Sequence, residues 1–212
     1  MPFSTVLLDL DGTITNPYIG ITNGVMYAYE KLGLEVPERD TLRSFIGPPL
    51  MAEFTRRGFP EEQAAEAVRL YREYYGETGL FENELIPGTV ELLTELRRRG
   101  KRVCLATSKP EQFSVRILDR FGLTQYFDFI GAASFDSSRS SKLAVIEYVL
   151  DSVGASPEEC VMVGDRMHDI VGAHEVGMKC IAVLVGFGSR GEFAEYHADY
   201  VAETLADVLR YV

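Results

Sequence analysis

Cysteine, histidine and long apolar runs are scarce in this chain, and each shortage removes a class of protein. The three cysteines, Cys104, Cys160 and Cys180, are an odd number without a CxxC pair, and each lies in or beside an apolar run that reads as a strand. They are expected to be small core residues of a reduced, cytoplasmic protein rather than a disulfide framework. The lack of a Cys/His cluster argues against zinc. No stretch reaches the roughly 18 apolar residues that a membrane span needs, and the chain passes from Met1 to Asp9 without a signal-type apolar region. Basic residues are also in short supply: 21 Lys and Arg face 32 Asp and Glu, a net charge of −11. A field of that sign repels nucleic acid and anionic membrane unless basic residues are concentrated locally, so neither is expected as a partner. The one dense basic run, Arg97 to Arg102 (RRRGKR), reads as a helix C-terminus, where cations suit the dipole. There is no internal repeat and no low-complexity segment.

The chain does have enough length for a sizeable core. At 212 residues, 46% hydrophobic and 25% charged, it has an ordinary globular composition. Folding at this length buries about 70% of the surface the unfolded chain exposes, so no disulfide or structural metal is needed. Short aliphatic and β-branched runs predict strands at Phe3 to Leu10, Arg102 to Ala106, Phe127 to Gly131, Cys160 to Val163 and Lys179 to Val185. Helical patterns lie between them, at Thr89 to Arg99, Pro110 to Phe121, Ser141 to Val153 and Met167 to Val176. Strands alternating with helices predict an α/β fold, a Rossmann-like doubly wound parallel sheet.

One segment breaks the alternation. From about Tyr18 to Phe81 only helical stretches occur, at Ile19 to Leu32, Thr41 to Phe45, Leu50 to Arg57 and Glu61 to Tyr75. A connection of that length is too long for an ordinary α/β crossover, so an inserted all-helical subdomain is expected. Turn signals stand at both edges, Asn16-Pro17 and Pro87-Gly88, where the two crossings could hinge. The expected division is an α/β core of residues 1–17 and 82–212 with a helical cap of residues 18–81.

The sharpest chemical signal is Asp9-Leu10-Asp11-Gly12-Thr13 at the end of the first strand. Alternate strand residues face one way, so Asp9 and Asp11 start on the same side, their Cα atoms about 6 to 7 Å apart. An acid directly after Val6, Leu7 and Leu8 is costly to bury unless a cation or hydrogen bonds compensate. VCLA is followed by Thr107-Ser108-Lys109, Lys142 opens a helix after a polar stretch, and VMV is followed by Gly164-Asp165, with Asp169 one helical turn on. Each feature alone has a plain structural explanation, as a turn, a helix cap or a solvated lysine. Together they all fall at strand carboxyl ends or the following helix starts, where open α/β sheets bind ligands. Carboxylates, a hydroxyl and a lysine converging there fit a Mg²⁺-dependent phosphoryl-transfer site, because oxygen ligands suit Mg²⁺. The cation would also offset the repulsion between a phosphate dianion and an acidic protein.

DLDGT, the hydroxyl after VCLA, the separated lysine and GDxxxD resemble the four ordered motifs of the haloacid dehalogenase-like hydrolase superfamily, in order and spacing over essentially the whole chain. The helical insertion is similar to the cap of the phosphoglycolate phosphatase and β-phosphoglucomutase branch. The resemblance implies that Asp9 is the nucleophile and Asp11 the general acid, then base. It makes Thr107 a phosphate hydrogen-bond donor and Lys142 the charge-neutralising lysine, with Gly12, Thr13 and Ser108 completing the phosphate pocket. Asp165 would ligate Mg²⁺ beside Asp9 and the Asp11 carbonyl, with Asp169 in support. SFIGPPL, Ser44 to Leu50, resembles the glycine-containing cap loop that touches substrate in this branch, which nominates Gly47. Apart from the resemblance, a cap would exclude water and bring side chains to the leaving group, with Arg43, Arg72, Tyr71 and Tyr75 as candidates.

The expected activity is hydrolysis of a small phosphorylated metabolite, phosphoglycolate first, through an aspartyl phosphate, by a monomer or weak homodimer. A nucleoside 5′-monophosphatase or pyrophosphatase comes next, then a phosphomutase. A dehalogenase is disfavoured, because its chemistry has no use for the acid at Asp11. Two rivals come from other classes. Gly186-Phe187-Gly188-Ser189-Arg190-Gly191 matches GxGxxG after a strand, as in dinucleotide oxidoreductases, but little chain remains beyond it. A non-enzymatic phospho-receiver also uses acids, a hydroxyl and a lysine, but would put its phosphorylated Asp on a middle strand and lack the insertion.

Overall fold

The computed structural model describes residues 3–135 and 138–212. The strands are β1 (Thr5–Leu8), β2 (Thr15–Asn16), β3 (Glu84–Leu85), β4 (Arg102–Pro110), β5 (Phe129–Ala133), β6 (Cys160–Gly164), β7 (Lys179–Val183) and β8 (Tyr200–Ala202). The helices are α1 (Tyr18–Lys31), α2 (Leu50–Arg56), α3 (Glu61–Glu77), α4 (Thr89–Arg98), α5 (Glu111–Arg120), α6 (Lys142–Val153), α7 (Met167–Glu175), α8 (Arg190–Glu195) and α9 (Leu205–Val208). The chain divides into two compact units, Met1–Asn16 with Leu85–Val212, and Pro17–Glu84.

In the larger unit six strands form a sheet in the order β5-β4-β1-β6-β7-β8, every neighbouring pair parallel. Burial on both faces explains why these strands read as unbroken apolar runs rather than alternating ones. Val6, Leu7, Leu8, Val103, Leu105, Met162 and Val163 are fully buried. So are the three cysteines, and burial pushes the Cys104 thiol up to about 12 and the Cys160 thiol up to about 11, which keeps both protonated and inert. Two helix ends show local sequence at work: the Ser141 hydroxyl accepts from Ala144 N–H to cap α6, and Gly154, at φ +62°, ends it.

The register decides the site. β1 is flanked by β4 and β6, with Leu8 opposite both Leu105 and Val163. Asp9, which follows Leu8 directly, is thereby level with Ala106 and Gly164, and Thr107 and Asp165 come one position farther along the two flanking strands, at the carboxyl end of β1. The chain runs from β1 through β4 to β5 on one side, then crosses β1 to build β6, β7 and β8 on the other, so the crevice opens at a switch point.

Three details depart from the sequence expectation. β4 extends four residues past Ala106 to Pro110, because proline restricts Lys109 to extended backbone, and its pairing with β5 slips between Thr107 and Pro110. Pro110 accordingly stands before α5 rather than within its first turn. Beyond Gly186, where the pattern is polar and weakly periodic, the structure has α8, the edge strand β8 and α9.

The smaller unit contains helices α1, α2 and α3 with the 3₁₀ turns Arg39–Phe45 and Gly79–Phe81. Phe54 sits at its centre, with ring centroids 4.8 Å from Phe45 and 5.2 Å from Phe59. α1 meets α3 where Gly24 admits the Tyr71 ring, and Tyr71 stacks on Tyr75 at 5.2 Å with 11° between planes. One turn nearer the start of α1, a Cβ on Gly20 would stand 2.0 Å from Gly79 O, a backbone atom that cannot turn aside. Gly20→Ala is therefore expected to destabilise the protein by about 1 to 3 kcal/mol, measured by urea unfolding.

Candidate active site

Asp9 prolongs β1 by one hydrogen bond, its N–H donating to Val163 O at 2.9 Å. The chain then turns tightly: the N–H groups of Thr13, Ile14 and Thr15 all point at Leu10 O, and Gly12 N–H donates to Thr15 O at 2.7 Å. Gly12 is required twice. Its φ is +83°, and a Cβ there would lie 2.1 Å from Asp165 Oδ2. The turn carries Asp11 back toward the site, while Thr13 is fully buried.

Asp165, at the end of β6, is fully buried. Its Oδ2 accepts from Phe187 N–H at 2.7 Å, whereas its Oδ1 is buried with no hydrogen-bond partner. Gly186 and Gly188 pack around it so closely that a Cβ on Gly186 would sit 2.2 Å from Asp165 Oδ2 and one on Gly188 2.0 Å from Asp165 O. The GxGxxG match thus marks a close approach to a carboxylate rather than a nucleotide. This agrees with the sequence expectation, which disfavours a dinucleotide site here because little chain remains beyond Gly191.

Asp169 has two tasks. Its Oδ2 accepts from Arg166 N–H at 3.1 Å, closing the box that begins α7, while its Oδ1 lies 2.8 Å from Lys142 Nζ. Gly164 makes room, since a Cβ there would overlap the Asp169 carboxylate at 2.1 Å. Lys142 Nζ also donates to Ala106 O at 2.9 Å and lies 2.8 Å from Asp9 Oδ1, so three acceptors surround its three hydrogens. Burial disfavours this ammonium, but Asp169 and Asp9 outweigh that cost and hold its pKa above the usual lysine range.

Thr107, 2% exposed, accepts Lys109 N–H at 3.3 Å, which leaves its own hydroxyl hydrogen available to an incoming acceptor. Ser108 is half-buried beside it. Lys109 carries no signal in the sequence beyond its place after Thr107-Ser108. It is 8% exposed and forms an ion pair with Asp11 Oδ2.

Asp9, Asp165 and Asp169 each offer an oxygen, all within 4.8 Å of one another. Burial, then the charge of Asp169, drives the Asp165 carboxyl well above the ordinary range, and burial likewise raises Asp169 and Asp11. Four carboxyl groups face two ammonium groups, so this end of the sheet holds an excess of acidic over basic side chains. The oxygen donors, the unpartnered buried Asp165 Oδ1 and that excess all fit a hard divalent cation.

The residues nominated in the helical unit are placed within it. Arg43 is exposed, 3.7 Å from Asp40 and over the Tyr18 ring, and the exposed Gly47, at φ +106°, turns the chain just after the buried Phe45 and Ile46. Arg72 is half-buried on α3, and Tyr75 is 1% exposed. Among the described residues no helix is long and apolar enough to cross a membrane.

Known proteins resemble the chain along its length. It is 42% identical over 205 residues to a 5′-nucleotidase of Pseudomonas aeruginosa, covering 96% of this chain and 93% of that one. It is 38% identical to the tyrosine-protein kinase PtkA of Mycobacterium tuberculosis, covering 96% of this chain and 67% of that one. The crystal structure of a predicted phosphatase from Clostridium acetobutylicum superposes with a TM-score of 0.95 at 37% identity, covering 99% and 98% of the two chains. The profile of the haloacid dehalogenase-like hydrolase family matches residues 6–183. With the parallel sheet and the carboxylates at its carboxyl edge, this means that the chain belongs to the haloacid dehalogenase-like hydrolase family.

Proposed function

We propose that the protein is a Mg²⁺-dependent phosphatase of small phosphate esters that works through a phosphorylated Asp9. The observation that carries this is the convergence of Asp9, Asp11, Asp165 and Asp169 with Lys142 at adjacent strand ends.

Asp9 Oδ attacks phosphorus, the ester P–O bond breaks, and the leaving alkoxide takes a proton from Asp11. Asp11 then removes a proton from the water that hydrolyses the aspartyl phosphate, releasing inorganic phosphate and restoring both carboxyl groups. Thr107 Oγ1 donates to the transferring group, with Ser108 beside it. Lys142 offsets charge on the same oxygens while keeping Asp9 aligned from 2.8 Å. Asp9, Asp165 and the Asp11 carbonyl would hold Mg²⁺, with Asp169 supporting through Lys142; the ion supplies charge neutralisation on the phosphoryl oxygens. The backbone N–H groups of Gly12 and Thr13 are engaged inside their turn, so these two residues serve the site through its shape.

The 42% identity to a 5′-nucleotidase favours nucleoside 5′-monophosphates as the substrates to try before phosphoglycolate and pyrophosphate. The kinase relative supports a second reading, transfer to a protein hydroxyl. Release of inorganic phosphate from small esters with no protein acceptor separates the two. A screen of phosphorylated metabolites with Mg²⁺ tests the proposal, and turnover of none of them would defeat it.

The helical unit, taken as a cap, selects the leaving group. Arg43→Ala or Arg72→Ala should lower kcat/KM by about 5- to 150-fold on the preferred metabolite, the scale of one charged contact. Turnover of p-nitrophenyl phosphate should change much less. Equal losses on both would assign these arginines to structure.

A further inference from the structure

Lys109 is a lysine held where lysines rarely stay. A long cationic chain normally runs its methylenes along apolar surface and puts the ammonium in water. Here the residue is 8% exposed, and its ammonium is turned onto Asp11 Oδ2. The backbone explains the direction. β4 stays extended through Thr107 and Ser108 to Pro110, its register against β5 slips there, and Lys109 N–H folds back onto Thr107 Oγ1 at 3.3 Å. The side chain is thereby delivered to the carboxyl end of β1.

Asp11 has few other restraints on its carboxylate. Thr15 Oγ1 stands 3.4 Å from Oδ1, but the same hydroxyl lies closer to Leu10 O, at 3.2 Å, and has one hydrogen to give. Lys142 faces Asp9 and Asp169 instead. The two lysines therefore serve different carboxylates.

We propose that Lys109 is the positioning residue for the acid–base carboxylate, its ammonium fixing Asp11 Oδ2 so that Oδ1 meets the leaving oxygen. This rests on the phosphatase assignment above. A general acid works only within hydrogen-bond reach of the departing atom, and a displacement of about 1 Å costs on the order of 10²-fold. Release of Asp11 should matter in proportion to how badly the leaving group needs a proton.

The test measures kcat/KM, which covers steps up to leaving-group departure, on aryl phosphates graded from p-nitrophenolate to phenolate and 4-methoxyphenolate. K109M should lose about 30- to 100-fold on the poorest leaving group and no more than about 3-fold on p-nitrophenyl phosphate, steepening the leaving-group dependence. K109R should recover part of the loss. In a D11N background K109M should cost less than about 2-fold, because a residue acting through Asp11 has nothing left to position. Thermal melts accompany each variant, and K109Q replaces K109M if the latter does not fold. Parallel losses across the series, or full additivity with D11N, would overturn the inference while leaving the phosphatase assignment standing. Failure of the wild type to turn over any aryl phosphate would overturn both.

Discussion

Replacing Asp9 with asparagine is expected to lower kcat by on the order of 10⁴-fold or more, the scale seen when a catalytic nucleophile is removed. The change is nearly isosteric, and an amide cannot form the acyl phosphate. The fold should survive. Asp9 N–H keeps its bond to Val163 O, Lys142 keeps Asp169 and Ala106 O, and one charge leaves a site with excess negative charge. The melting temperature should therefore stay level or rise. Quenched wild-type enzyme should contain a hydroxylamine-sensitive phosphoryl group on Asp9 that the variant lacks. Activity above a few per cent of wild type, in fresh protein with deamidation excluded by mass spectrometry, would remove Asp9 from the chemistry.

The second large effect concerns the cation. EDTA should abolish turnover, and Mg²⁺ should restore it. Calcium should inhibit, because its larger and looser coordination shell misplaces the nucleophile. The structure adds a measurement independent of catalysis. Asp165 Oδ1 is buried without a partner and repelled by neighbouring acids, so a divalent cation should bind the folded state far better than the unfolded chain. Ligand at 100 times its dissociation constant adds about 2.7 kcal/mol of stability. For a chain of this size that corresponds to a rise of roughly 5 to 10 °C in melting temperature. Asp165→Ala should erase both the rise and the metal-dependent activity. Full activity in EDTA, or an equal melting shift in the variant, would refute the metal role.

Local chemistry made much of this protein legible in its sequence. The apolar runs of β1, β4, β6 and β7 are continuous because both faces of a parallel sheet are buried, and a polar residue ending such a run is conspicuous. Asp9, Thr107 and Asp165 stood out for that reason. The stretch between Tyr18 and Phe81 was recognisable as helical because it lacks strand runs altogether. The edge strand β8 left little trace, because Tyr200–Ala202 is too short to establish a period and is flanked by Asp199 and Glu203.

Motif and periodicity, both properties of near neighbours along the chain, fixed which residue types could meet. Which atoms do meet depends on long-range geometry. Leu8 opposite Leu105 and Val163 brings Asp9 to within one position of the level of Thr107 and Asp165, and no local pattern encodes that register. Lys142 reaches Asp9 from a helix 133 positions away, and Lys109 turns inward only because β4 continues to Pro110. The glycines from Gly186 to Gly188 acquire meaning only beside Asp165, where no side chain fits. Burial is a property of the assembled sheet, and it is burial that turns a set of ordinary acids and lysines into a site with shifted pKa values, a Lys142 ammonium ringed by acceptors and a carboxylate oxygen lacking a partner.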